Sequence, residues 1–133
     1  MKLVIGAGGF LGSHVVRRLV ASGDAVRVLI RESSDTRAIA DLDVERFVGE
    51  LFDTDVVAAA MADCDAVFYC AVDTRAWLTD PGPLVRTNVD ALRSVLEVAA
   101  GAGLQKFVYT STIATIGRVT GRLATETDAF NRN

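Results

Sequence analysis

Short apolar runs alternate with stretches of helical periodicity from the first residues of the chain. Leu3-Val4-Ile5 is a β-branched run stopped by glycines, and residues 10–21 then carry apolar side chains at 11, 15, 16, 19 and 20, the spacing of one helix face. Ser22-Gly23-Asp24 closes that helix, and Ala25-Val26-Arg27-Val28-Leu29-Ile30 reads as a second strand before the polar segment Arg31-Glu32-Ser33-Ser34-Asp35. A helix over 36–42, a third strand over 44–48 and a helix capped by Asp53 or Thr54 and running to Ala62 follow. Ala66-Val67-Phe68-Tyr69-Cys70 is a fourth apolar strand. Pro81 to Pro83 opens the longest helix, whose apolar positions 84, 85, 89, 92, 95, 96 and 99 hold a helical period until Gly101 and Gly103 end it. Lys106-Phe107-Val108-Tyr109-Thr110-Ser111 is the fifth strand.

Apolar strands joined by helices of this length predict an α/β fold with a doubly wound parallel sheet, five strands in the order 3-2-1-4-5, helices on both faces and right-handed crossovers. After Gly117 the pattern becomes polar and aperiodic, which divides the chain into one domain over 1–117 and a loop or frayed tail over 118–133. A length of 133 residues, half of them hydrophobic and 23% charged, suits one globular core.

Charge narrows the partners. The net charge is −3 and the arginines are scattered, so no nucleic-acid footprint exists and an anionic ligand must be met locally. Cys64 and Cys70 lie six apart with no second pair or neighbouring His, which fits no zinc motif and suggests reduced, buried thiols. No apolar run approaches a membrane span, and the first glycine comes too early for a secretory signal. The expectation is a cytoplasmic protein with no metal and no membrane partner. His14, the only histidine, has no partner in sequence for nucleophile activation and is expected at the surface or in packing.

The candidate chemistry lies in the first turn. Gly6-Ala7-Gly8-Gly9-Phe10-Leu11-Gly12 places glycines at 6, 9 and 12 between the first strand and the first helix. At that position such a loop lets the backbone approach a pyrophosphate, and the helix amino terminus offers N–H groups and partial positive charge. Gly6, Gly9, Phe10, Leu11 and Gly12 are therefore candidate dinucleotide-binding residues in a Rossmann domain. The end of the second strand meets the adenosine ribose in such a domain, and here it holds Arg31 with Glu32 beside it. A guanidinium grips a 2′-phosphate bidentately where a carboxylate repels it, so Arg31 favours NADP; NAD stays open through Glu32, which could bind a ribose hydroxyl.

The glycine spacing, together with Val48-Gly49-Glu50-Leu51, Ala66 to Val72, Arg86-Thr87-Asn88-Val89 and Lys106 to Ala114, resembles the extended short-chain dehydrogenase/reductases over nearly all of the chain up to Gly117. Within them it is most similar to the NAD-dependent epimerase/dehydratase group, near the dihydroflavonol-reductase-like and hopanoid-associated sugar epimerase branch, which shares Val26-Arg27-Val28-Leu29-Ile30-Arg31. The resemblance implies that Glu50 and Leu51 contact the adenine, that Ala71 and Val72 lie along the cofactor ribose, and that Thr110 sits close to the nicotinamide. It implies that Thr112 is the catalytic Ser/Thr hydroxyl that polarises a substrate carbonyl or carbinol, while Asn88 takes a structural helix position. In the family the proton is moved by a tyrosine with a lysine four residues later. Here Tyr69 and Tyr109 are followed at that distance by Asp73 and Ile113, and the two lysines, Lys2 and Lys106, lie elsewhere.

The leading expectation is thus the dinucleotide-binding portion of an epimerase, dehydratase or reductase, truncated before its proton-transfer pair and acting on a sugar nucleotide or a small carbonyl or hydroxyl substrate. The alternative is a non-catalytic dinucleotide sensor or interaction module. Without the helix and strand that follow in the family, Phe107, Val108 and Tyr109 form an edge with one face poorly covered, and self-association through that side is expected. The loop around Arg75 and Trp77 is substrate-side or an anchored turn.

Overall fold

The computed structural model describes residues 1–75 and 77–131. Five strands, β1 (Lys2–Ile5), β2 (Val26–Ile30), β3 (Glu45–Val48), β4 (Ala66–Tyr69) and β5 (Lys106–Tyr109), pair in parallel in the order β3-β2-β1-β4-β5. The doubly wound order expected from the sequence is the one formed. Register aligns Val28, Val4, Phe68 and Val108 across one face of the sheet and Leu29, Ile5, Tyr69 and Tyr109 across the other. Because side chains alternate along a strand, the sheet feeds two cores. Helix α1 (Phe10–Ala21) brings Val16 against Val4, Val26 and Val28, with Ile39 and Val44 beside them. Helix α2 (Thr54–Met61), capped by Asp53 accepting from the Val56 N–H at 3.2 Å, brings Val57, Ala60 and Met61 against Leu3, Ile5, Leu29, Val67 and Tyr69. Each fully buried valine or leucine contributes about 1.5–3 kcal/mol, so the strands hold both layers without any disulfide.

Four expected elements differ. The helix expected over 36–42 is a single 3₁₀ turn, Arg37–Ile39, because only Ile39 finds a buried seat and one anchored residue cannot offset helix nucleation. The strands expected to reach Cys70 and Ser111 end at Tyr69 and Tyr109, where the chain turns into the loops that surround the site. The long helix is continuous but not uniform: α3 (Gly82–Val85) passes into a π-helical stretch, Arg86–Asp90, and then α4 (Ala91–Gly101). Val95 is fully buried, whereas Val85, Val89 and Leu96 stay about half exposed. β5 is an edge with Val108 and Tyr109 exposed.

From Gly117 the chain forms a closed loop. The Gly117 N–H donates to the Asp128 carbonyl at 3.1 Å, Asn131 pairs with both backbone groups of Arg118, and Arg122 forms an ion pair with Asp128. Among the described residues no helix is long and apolar enough to cross a membrane.

Arg27 joins three elements and is only 8% exposed despite its charge. From β2 it donates to the Ala60 and Ala62 carbonyls at 2.9 and 2.7 Å, capping the end of α2, while its Nε donates to Glu45 on β3 at 2.8 Å. Its guanidinium also lies 4.8 Å from the centre of the Phe47 ring. Removing it leaves carbonyls unpaired and a cavity under α2. We expect Arg27→Ala to cost about 2–4 kcal/mol in urea unfolding, and a loss below about 1 kcal/mol would contradict this role.

Candidate functional site

The site is built at the carboxyl ends of β1, β2, β3 and β4, where four loops surround a cleft of about 620 Å³. β1 ends in Gly6, whose φ of +84° favours glycine. A Cβ on Gly6 would stand 2.7 Å from the Ala71 nitrogen, and one on Gly8 would stand 2.6 Å from the Asp35 carbonyl. One on Gly12 would collide with the Gly6 carbonyl. The turn therefore touches the loop after β4 on one side, the loop after β2 on the other, and α1 beneath. α1 starts with Gly9 as a cap that supplies no side-chain acceptor, and its first turn carries no acidic residue. Its amino-terminal N–H groups and positive end remain available to an anion.

Of the residues singled out in sequence, Gly6, Gly9, Arg31, Glu50, Leu51, Ala71 and Val72 all line this cleft. Arg31 is the first residue after β2, and its backbone forms a reciprocal turn with Ser34, the Arg31 N–H donating to Ser34 Oγ at 2.9 Å and the Ser34 N–H to the Arg31 carbonyl at 2.9 Å. Glu32 does not line the cleft. Phe10, Leu11 and Gly12 stand apart from its wall: Gly12 is buried against the turn, while Phe10 is 85% exposed and packs on His14 with ring centres 4.7 Å apart. His14 is exposed, with Nδ1 2.8 Å from the Phe10 carbonyl.

Thr110 and Thr112 lie just past β5, outside the cleft wall. Thr110 donates to Cys70 Sγ at 3.7 Å. Thr112 Oγ1 accepts from the Ala114 N–H at 3.2 Å and caps a 3₁₀ turn, Ile113–Thr115, which leaves its own proton free to donate. Both cysteines were expected to be buried. Cys64 is, but Cys70 is only half-buried and faces the cleft, with its thiol pushed up by burial.

Several lining residues lie outside the set of candidate cofactor residues. Ser33, Ser34 and Asp35 form the wall beside Arg31, and Asp73, Thr74 and Arg75 form the wall beyond Val72. Asp35 is gripped by Arg37 at 2.6 Å, which holds its carboxyl down at about 2. The same device recurs after β4, where Arg75 grips Asp73 at 2.6 Å and holds it at about 2. The shared Asp-x-Arg spacing is the sequence signal for both. In the core under α2 the Tyr69 hydroxyl is buried without a partner, and burial with the neighbouring Tyr109 pushes it up to about 12. Among the described residues no cluster of three His, Cys, Asp or Glu side chains could hold a metal ion.

A model of the NAD dependent epimerase/dehydratase family matches residues 2–133. The chain belongs to that family. It is 38% identical over 114 residues to a putative dihydroflavonol 4-reductase of Synechocystis sp., covering 86% of this chain and 33% of that one, so it spans about a third of the relative's length. Among solved structures, gox2253 superposes with a TM-score of 0.88 at 39% identity, covering 98% of this chain and 40% of its own. MoeE5 in complex with UDP-glucose and NAD superposes with a TM-score of 0.78 at 27% identity, covering 98% and 42%. The cleft thus lies at the carboxyl ends of the strands in a Rossmann sheet of the NAD dependent epimerase/dehydratase family.

Two outcomes follow from the geometry. Gly12→Ala should destabilise the chain by about 1–3 kcal/mol or more, since α1 must lift off β1, and thermal unfolding measures it; an unchanged midpoint would contradict the contact. The Asp73 carboxyl sits at about 2 in the folded chain, below an ordinary carboxyl near about 3.9, so its contribution to stability is complete above about pH 4 and is lost as pH falls toward 2. Arg75→Ala should flatten that part of the melting-temperature profile.

Proposed function

We propose that residues 1–117 form the dinucleotide-binding domain of an NAD(P)-dependent oxidoreductase or epimerase, with NADP favoured over NAD. The observation that carries this reading is the contact of Gly6 with Ala71 beside an uncapped α1 amino terminus, which leaves a cradle open to backbone N–H groups where a side chain would block a pyrophosphate. When bound, the nicotinamide supplies hydride transfer. Gly6 and Gly9 admit the phosphates, and the N–H groups of Phe10 and Leu11 face them even though those side chains point elsewhere. Glu50 and Leu51 flank the adenine, while Ala71 and Val72 follow the ribose.

Arg31 supports the NADP preference because it lines the cleft and Glu32 does not. Asp35 in the same wall would repel a 2′-phosphate, but Arg37 offsets its charge. Thr110 borders the nicotinamide end, and Thr112 donates its free hydroxyl proton to a substrate oxygen. One relative is named a dihydroflavonol reductase and one solved structure holds UDP-glucose, so the substrate class proposed is a carbinol or ketone on a sugar nucleotide or another small molecule.

A second reading, binding without turnover, is favoured by one observation. Neither tyrosine is followed four residues later by lysine, and Tyr69, buried with its hydroxyl raised to about 12, is a poor proton carrier. General acid–base help is worth about 10²–10⁴-fold, so residues 1–133 taken by themselves should bind a dinucleotide better than they catalyse.

Melting curves with NADP and NAD added separately test the proposal. Saturation at 100 times the Kd should add about 2.7 kcal/mol, and no shift with either dinucleotide sinks it. Arg31→Ala should erase an NADP preference of about tenfold, and an unchanged preference would release Arg31 from the role.

A further inference from the structure

Three successive residues of the π-helical stretch Arg86–Asp90 reach both walls of the cleft. The Arg86 guanidinium stacks 4.4 Å from the centre of the Phe52 ring, which belongs to the wall after β3. Thr87 lines the cleft itself. Asn88 turns to the opposite wall, where its Oδ1 accepts from the Asp73 N–H and its Nδ2 donates to the Asp73 carbonyl, both at 2.8 Å. Such wider i→i+5 turns concentrate at functional sites.

The Asn88 clasp spends the whole amide on backbone groups of one cleft residue. Asp73 is fixed a second time by Arg75, so the segment after β4 has little freedom left. That segment begins at Ala71, whose backbone abuts Gly6, so an ångström of drift at Asp73 changes the width of the cradle at the glycine turn.

We propose that Asn88 is a positioning residue for the cofactor, holding the loop 71–75 at the separation from the glycine turn that a bound dinucleotide requires. This rests on the dinucleotide reading above. Asn88 touches the loop and not the reacting atoms; its effect is on cofactor affinity.

The test is calorimetric titration of NADP and NAD into the unsubstituted chain, Asn88→Ala and Asn88→Asp, at a temperature where all three keep the same circular dichroism. Asn88→Asp is isosteric but its carboxylate cannot donate to the Asp73 carbonyl, so both variants should bind about tenfold more weakly or worse. Binding by Asn88→Asp within about twofold of the unsubstituted chain overturns the inference, since shape alone would then suffice. Failure of the unsubstituted chain to bind either dinucleotide overturns the dinucleotide reading and this inference together. Should a variant not fold, hydrogen exchange on the unsubstituted chain decides. The Asp73 amide should slow about tenfold or more at saturating cofactor, and an unchanged rate overturns the role.

Discussion

Everything at this site depends on a crossing of backbones closer than a methyl group allows. Gly6 meets the backbone of Ala71, and Gly12 meets the carbonyl of Gly6, so β1, α1 and the loop after β4 are held at one point. A side chain at either glycine would push α1 off the sheet or close the space above the turn. With the crossing in place, the helix amino terminus faces the cleft and the four loops at the carboxyl ends of the strands converge on it. The two apolar cores then fix the sheet to which the crossing is anchored.

Around that point polar side chains do the work that packing cannot. Loops expose backbone N–H and carbonyl groups that need partners. Asn88 supplies them for Asp73, Ser34 for Arg31, and Asp35 and Asp73 each hold the arginine two residues on. Arg27 plays the same part inside the fold, giving the end of α2 the donors that its carbonyls lack. Charges placed this way are neutralised locally, which leaves Arg31 as the guanidinium on the cleft wall that no neighbouring carboxylate pairs among the described residues.

Much of this was legible in advance, for physical reasons that can be stated residue by residue. The strands were readable because Leu3-Val4-Ile5 and Ala66 to Tyr69 are buried on both faces and must be continuously apolar. Gly6 and Arg31 were readable because each follows a strand end, and strand ends of a doubly wound sheet point at the ligand, whereas Glu50 and Ala71 were named only through the family resemblance. The long helix misled at Val85, Val89 and Leu96, because these lie at the margin of the face that buries Ala91 and Val95, where an apolar side chain is counted in the stripe yet stays half exposed. Residues 36–42 misled because a helical pattern without a buried face does not become a helix.

The sequence by itself determined the strand order, the family and the glycine turn, since these depend on local patterns that recur at set distances along the chain. Only the tertiary structure decided that Asn88 grips Asp73 across fifteen residues, that Arg27 caps a helix far along the chain, and that Gly12 serves packing while Arg31, not Glu32, lines the cleft. Such contacts are made between side chains and backbone groups of distant segments, and their partners are chosen by where the sheet brings those segments together, which no local pattern of residues encodes.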